Sequence, residues 1–406
     1  MLNLVLVGGL HPPWIDGITV YSKNLILSLL RACYPVSAIT SYDIALLPQA
    51  SSNDVKNWRE TLNSIGNIRY VQIEKSPTLI LPKRLYTYAL REIKEICMEY
   101  KDVILHILLP GIDPIRGKLL CKISKIMRRM SDVNIKIIKY LLTPNISYSR
   151  AVIYTLTDIS RKAFEFYIAC SSHYIARTFH INNCHIVRPG IDTNIYDPNR
   201  VTEFSEFLPK DLEEWIEDAD PLILYFGWSS RFRFPWTYVF AGISKLRYEH
   251  KIKNIKLLVI FKKISPSQRQ YMYEYVWKLN LKSNIMITAR NLSEYEKAYL
   301  INRSNVFINI ILSPTGFLDP PLSIIESLSL NTPVITTEKN SMFTLISRYK
   351  YGNVLSNICA DTIADSIVKL VDLSINSREL IEKMFSLEAM SRDLVRMLKA
   401  IQRDSR

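Results

Sequence analysis

Short runs of uninterrupted apolar, often β-branched residues recur along the chain, separated by stretches whose apolar residues return every three or four positions. The runs fall at 2–8, 102–108, 134–142, 166–170 and 184–188, and then at 221–227, 255–261, 284–288, 305–312 and 333–337. Runs that are apolar throughout predict strands covered on both faces. The helical spacing at 18–33, 236–250, 267–280 and 292–303 predicts amphipathic helices between them. Such alternation builds parallel sheets with helices on either side. Strand patterning lapses at 196–220, where the chain turns polar and acidic. An α/β protein of two doubly wound domains is therefore expected, 1–200 and 201–384. From 385 onwards Leu387, Met390, Leu394 and Leu398 lie close to helical spacing, and this last helix could pack on either domain.

Composition adds limits to that picture. With 406 residues, 48% of them hydrophobic, the chain has material for two cores. Its net charge of +14 attracts phosphates, anionic lipid or nucleic acid. Charge alone does not make a nucleic-acid binder, and neither an RNA or DNA module nor an aromatic-basic pattern accompanies it. The six cysteines are scattered without metal-ligand or redox spacing, which reads as reduced thiols of an intracellular protein with no bound metal. Residues 1–10 fit a first strand better than an export signal. No apolar run reaches the roughly 18 residues of a spanning helix, so membrane contact would be peripheral. One stretch suits such contact: 114–130 sets Ile115, Leu119, Ile123, Ile126 and Met130 beside Lys118, Lys122, Lys125, Arg128 and Arg129. A solvated surface helix has the same pattern.

In open sheets of this kind ligands bind beyond the carboxyl ends of strands, where loops meet helix N-termini. Only 11 glycines occur, well below the roughly 7% of an average protein, so those present are expected where the backbone requires them. Gly8, Gly9, Gly17, Gly190 and Gly227 all fall at strand ends or helix starts. Residues 316–337, "GFLDPPLSIIESLSLNTPVITT", place Asp319 and Glu326 seven residues apart after one strand and before the next. Pro320 and Pro321 suit the first turn of a helix reaching about Leu330. Asp319 then reads either as the N-cap of that helix or as a ligand group.

These segments, in this order, resemble a retaining glycosyltransferase of family 4 with the two-domain GT-B fold. "HPPWIDGITVYSKNLILSLL" at 11–30 resembles the family's first loop and helix, and "DVILHILLPG" the strand before the acceptor side. "YIACSSHYIARTF" and "HIVRPGIDTNIYDP" resemble the end of the first domain and the hinge strand. "LILYFGWSSRFRF" resembles the donor diphosphate loop, 316–337 the acidic donor motif, and "FSLEAMSRDLVRML" the final helix that crosses back to the first domain.

The resemblance implies two Rossmann-like domains facing across a cleft, and transfer of a sugar from a nucleotide sugar to an acceptor hydroxyl, on a glycan or a lipid-linked acceptor, with retention. It implies Glu326 on the ribose, and Arg233, with Arg231 as a second candidate, on the diphosphate. Gly17, Gly227, Pro321, Leu322 and Ser323 complete the donor side. Arg233, Asp319 and Glu326 are the catalytic candidates, with no cofactor and no metal. The sequence also departs from the family. Leu318 stands where a first glutamate is usual, with Asp319 next to it. Trp228 stands at a basic position, Phe234 at a glycine, and Ser323 at a valine. On the acceptor side Asp16 and Asn145 are candidates, and His106 is either a core or an active histidine; the family's histidine after the fourth strand has no counterpart. These departures leave a rival reading, a GT-B protein that binds a nucleotide sugar or glycan without turning it over. The expected location is the cytoplasm, including the inner membrane surface where 114–130 would dock.

Overall fold

The structure, a computed structural model, describes residues 2–8, 17–41, 52–66, 68–73, 91, 93–96, 98–100, 102–107, 134–142, 165–313 and 318–403. Two compact units emerge. One comprises Met1–Gly190, Thr315–Asp319 and Leu387–Arg406; the other comprises Ile191–Pro314 and Pro320–Ser386.

Among the described residues the first unit holds β1 (Leu2–Gly8), β2 (Val36–Ser41), β3 (Ile68–Ile73), β4 (Asp102–Ile107), β5 (Asn134–Leu141), β6 (Glu165–Cys170) and β7 (His185–Ile186). They form one parallel sheet in the order β3-β2-β1-β4-β5-β6-β7. Helices α1 (Gly17–Arg31), α2 (Ser52–Ile65) and α3 (His173–Thr178) belong with it. The buried stripe of α1 is Tyr21, Leu25, Ile26 and Leu29, and the sheet supplies Leu4, Leu6, Ile104 and Ile138. Tyr21 meets Tyr140 edge to face, with ring centroids 6.2 Å apart, and donates its hydroxyl to the Val187 carbonyl at 3.1 Å.

The second unit holds β8 (Leu222–Gly227), β9 (Lys256–Phe261), β10 (Ile285–Ala289), β11 (Val306–Asn309), β12 (Val334–Thr337) and β13 (Gly352–Leu355). Their order, again all parallel, is β10-β9-β8-β11-β12-β13. Its helices are α4 (Lys210–Ile216), α5 (Trp236–Tyr248), α6 (Pro266–Lys278), α7 (Glu294–Arg303), α8 (Leu322–Ser329), α9 (Phe343–Tyr349), α10 (Ala360–Leu370) and α11 (Arg378–Phe385). One cluster on this sheet joins Ile223, Tyr225, Leu257, Val259 and Phe261 to Phe240 and Ile243 of α5 and Ile363 and Ile367 of α10. Residues 196–220, which lost strand patterning, contribute a 3-10 helix at Val201–Phe207 and α4 to this unit.

Three strands, β2, β3 and β13, are additional to those read from the sequence. β3 and β13 lie at sheet edges, and β2 carries Ser37 and Ser41 among its apolar residues, so none shows the uninterrupted run of a central strand. The 305–312 run is strand only to Asn309, because beyond it Leu312 N–H turns to the Phe232 carbonyl at 2.7 Å. The helix after it begins at Leu322, one turn position later than the proline pair suggested. Pro321 is its N-cap, with φ −64° and ψ 123°. A proline is held out of the α region when another proline follows it, which places Pro320 ahead of the helix.

The last helix, α12 (Leu387–Arg403), is bonded within the first unit. Buried Lys136 on β5 donates to the Ile401 carbonyl at 2.6 Å, in the last turn of the helix. Arg188 grips Asp393 through two parallel bonds of 2.8 and 2.9 Å, and Ser28 donates to the Leu387 carbonyl at 3.2 Å. The Asp393 side chain is 3% exposed, and its pair is a buried charged contact that helps fix this helix. Asp393→Asn keeps the shape and removes the charge. It is expected to lower unfolding stability by about 1–3 kcal/mol, measured by denaturant unfolding with Arg396→Ala, whose guanidinium is mostly exposed, as the control.

Candidate functional site

The carboxyl end of β8 leads into a loop built on an aromatic support. Tyr225 on β8 stacks on Phe234, centroids 4.1 Å apart, and meets Phe261 edge to face at 5.9 Å. Its hydroxyl donates to the Trp228 carbonyl at 2.9 Å. The Arg233 and Phe234 N–H groups turn back to the Ser230 carbonyl, each at 2.9 Å, and Gln268 of α6 donates to the Ser229 carbonyl at 2.6 Å. Loop 228–234 is thus pinned from below. Phe234 stands where the family resemblance leads one to expect glycine, and it is fully buried as part of that support. Burial raises the Tyr225 hydroxyl far above the ordinary phenol range, while the charge of nearby Arg233 draws it back. Arg233 itself is half-buried. Arg231 is exposed, with its guanidinium carbon 5.9 Å from the centroid of Trp236.

Gly227 closes the strand under steric constraint. A Cβ there would lie 2.7 Å from the Tyr225 hydroxyl and 3.1 Å from its Cζ. Lys262, the residue directly after β9, holds its ammonium 6.0 Å from the Trp228 ring centroid, and its N–H bonds the Gly227 carbonyl at 2.9 Å. It brings positive charge to the strand end beside Trp228, where the family resemblance leads one to expect a basic residue. The sequence reading missed Lys262, although its place immediately after a strand was a usable signal.

The second element is the start of α8. Its internal bonding begins with the N–H groups of Ile324 and Ile325 on the Pro321 carbonyl, at 3.1 and 3.3 Å, so those of Leu322 and Ser323 precede it. The Ser323 hydroxyl accepts from the Asn309 amide at 2.9 Å, which ties the helix start to the end of β11. One turn further on, Glu326 is buried and paired with Lys297 of α7 at 3.2 Å; the two side chains are 4% and 16% exposed. Lys297 also sits 5.8 Å from the centroid of Tyr196. The Tyr196 hydroxyl is buried without a hydrogen-bond partner, at a cost of about 1–3 kcal/mol. Burial first, and then the Glu326 and Glu294 carboxylates, push it well above the usual phenol range. Lys297 and Tyr196 were both absent from the sequence-based candidates: a lysine at the start of an amphipathic helix and a tyrosine in a loop carry no signal by themselves.

Asp319 behaves otherwise. It does not cap α8, since Pro321 does. Its N–H bonds the Leu142 carbonyl at 3.0 Å, its carbonyl accepts from the Ser171 hydroxyl, and its carboxylate accepts from the Ser172 hydroxyl. Ser172 is in turn the N-cap of α3. Asp319 is completely buried and belongs to the first unit, whereas Pro321, Leu322, Ser323 and Glu326 belong to the second with Gly227, Arg231 and Arg233. Gly17 is the first residue of α1. His106 lies on β4 opposite Leu6 and Ile138, its side chain outside the described residues. Asp16, Asn145 and the basic stretch 114–130 lie outside them as well. Among the described residues no three His, Cys, Asp or Glu side chains gather as a metal site, and no helix is long and apolar enough to cross a membrane.

No protein-family model matches this chain, and no curated protein matches it in sequence. Solved structures do match in fold. A glycosyltransferase from Rickettsia africae superposes with a TM-score of 0.69 at 17% identity, over 99% of this chain and 98% of its own. Sucrose-phosphate synthase from Thermosynechococcus elongatus gives 0.66 at 15% identity, over 100% of both chains. The Anabaena protein HepE, solved in complex with UDP and glucose, gives 0.65 at 10% identity, over 98% of this chain and 100% of its own. At such identities the likeness shows the fold: the chain is a GT-B protein with two Rossmann-like units.

The crowding at Gly227 is directly testable. Gly227→Ala is expected to cost about 1–3 kcal/mol in unfolding stability. Removing the obstructing oxygen in Gly227→Ala/Tyr225→Phe should recover part of that loss, as read from a double-mutant cycle; strict additivity would contradict the steric account.

Proposed function

We propose that the protein is a glycosyltransferase that takes its sugar from a nucleotide-sugar donor held by the second unit. The observation that carries this reading is the convergence, at the carboxyl ends of one parallel sheet, of the Arg233 loop after β8, Lys262 after β9 and the α8 N-terminus ahead of Glu326. Cations and free N–H groups suit a diphosphate, and a carboxylate suits a pair of sugar hydroxyls. The full-length likeness to solved structures, one a glycosyltransferase and another in complex with UDP and glucose, supports the same choice.

In this reading Arg233 and Lys262 bind the diphosphate and offset the charge that grows on it as the sugar leaves. The N–H groups of Leu322 and Ser323 add donors at the same oxygens. Such preorganised donors act most strongly when charge develops in the transition state. Glu326 accepts from the ribose. The acceptor is a hydroxyl of a glycan or a lipid-linked sugar, transfer proceeds with retention, and the leaving phosphate assists deprotonation of the acceptor; no cofactor takes part. Asp319, with its carboxylate already engaged by Ser172, holds its segment in the first unit. Basic stretch 114–130 would meet anionic lipid at the inner membrane surface.

The rival, binding without turnover, draws on two observations: Glu326 is paired with Lys297, and Asp319 with Ser172. Incubation with UDP-, GDP- and ADP-sugars, with and without lipid extract, separates the two. Release of one nucleoside diphosphate, lowered about 100- to 1000-fold in Arg233→Ala and lost in Glu326→Ala, is the expected result. Tight binding of a donor with no release would favour the rival.

A further inference from the structure

Three side chains in the second unit form a cluster whose bonding is incomplete. Glu326 Oε1 takes the Lys297 ammonium at 3.2 Å. The Tyr196 hydroxyl lies beside this carboxylate without reaching hydrogen-bond geometry, and it is buried. Its position is not accidental slack. The Tyr196 carbonyl accepts from Arg378 at 2.6 Å and from the Ser329 hydroxyl at 2.9 Å, and Arg378 also pairs with Asp197 at 3.2 Å. The backbone beneath the ring is therefore fixed. The mobile member is the carboxylate, because the last torsion of a glutamate is soft.

We propose that Lys297 and Tyr196 are positioning residues for Glu326, two donors behind its carboxylate that turn it to accept both hydroxyls of a ribose and so make the site selective for ribonucleotides. This inference rests on the nucleotide-sugar reading above. Lys297 holds one oxygen of the buried carboxylate. A ribose diol reaching the carboxylate from the other side rotates it, and the rotation completes the bond to Tyr196. The hydroxyl remains protonated in these surroundings, so it enters as a donor. A nucleotide without the diol leaves the cluster as it is, with a buried donor unmet, and loses the gain.

The test is binding of UDP, GDP and ADP, each against its 2′,3′-dideoxy counterpart, by titration calorimetry. Wild type should prefer the ribose form of its nucleotide by about 10- to 100-fold. Tyr196→Phe, which keeps the ring and deletes only the unmet hydroxyl, should reduce that ratio several-fold with an unchanged or higher melting temperature. Lys297→Met should bring the ratio close to one, and Lys297→Arg should restore part of it. A purely structural role would change stability and leave the ratio alone, so wild-type ratios in both Tyr196→Phe and Lys297→Met overturn the proposal. A wild type that binds a diphosphate but ignores the diol overturns it too, while leaving the nucleotide reading intact. Absence of binding by all three nucleotides defeats that reading itself, and the inference with it.

Discussion

Tyr225 occupies the position from which the rest of the candidate site is built. Its ring completes an aromatic cluster with Phe234 and Phe261, and its single polar atom leaves that cluster to hold the Trp228 carbonyl. A buried hydroxyl has to find a partner, and here the partner is the backbone of the loop the strand feeds. Core packing and loop geometry therefore become one problem. The same ring restricts the strand's last residue to glycine, and a phenylalanine in the loop becomes part of the support.

The remaining groups follow from strand ends. In a parallel sheet covered on both faces, the strand interiors have no room for chemistry, so polar function gathers where strands stop and helices start. Lys262 follows β9, Asn309 ends β11 and bonds Ser323, and the α8 N–H groups point out of the helix start. Lys297 and Glu326 come from successive helices that begin at this end, which is why an ion pair can form there although both side chains are largely buried.

Central strands such as β8 and β9 could be read directly from their apolar runs, and the two Rossmann-like units from the alternation of strands and helices. The edge strand β13 could not, because an edge needs less burial and its sequence begins with glycine. Gly227 drew attention as a glycine at a strand end, and Arg233 and Glu326 through the resemblance of their segments to the family's donor loop and acidic motif. What the sequence concealed were partners set by tertiary contact. Tyr225 looks like any buried strand residue, and nothing local to Lys297 announces a carboxylate 29 positions away. Asp319 is the sharpest case. Its neighbours suggested a helix cap or a ligand group, and the partner of its carboxylate, Ser172, lies 147 residues earlier.

Membership of the last helix in the first unit also has a consequence during synthesis. The second unit, Ile191–Pro314 with Pro320–Ser386, has all its residues once position 386 has emerged. The first cannot be completed then: Arg188 still lacks Asp393, and Lys136 lacks the carbonyl of Ile401. The half of the protein that is translated first thus waits for the last helix to supply the Asp393 carboxylate to Arg188 and the Ile401 carbonyl to Lys136.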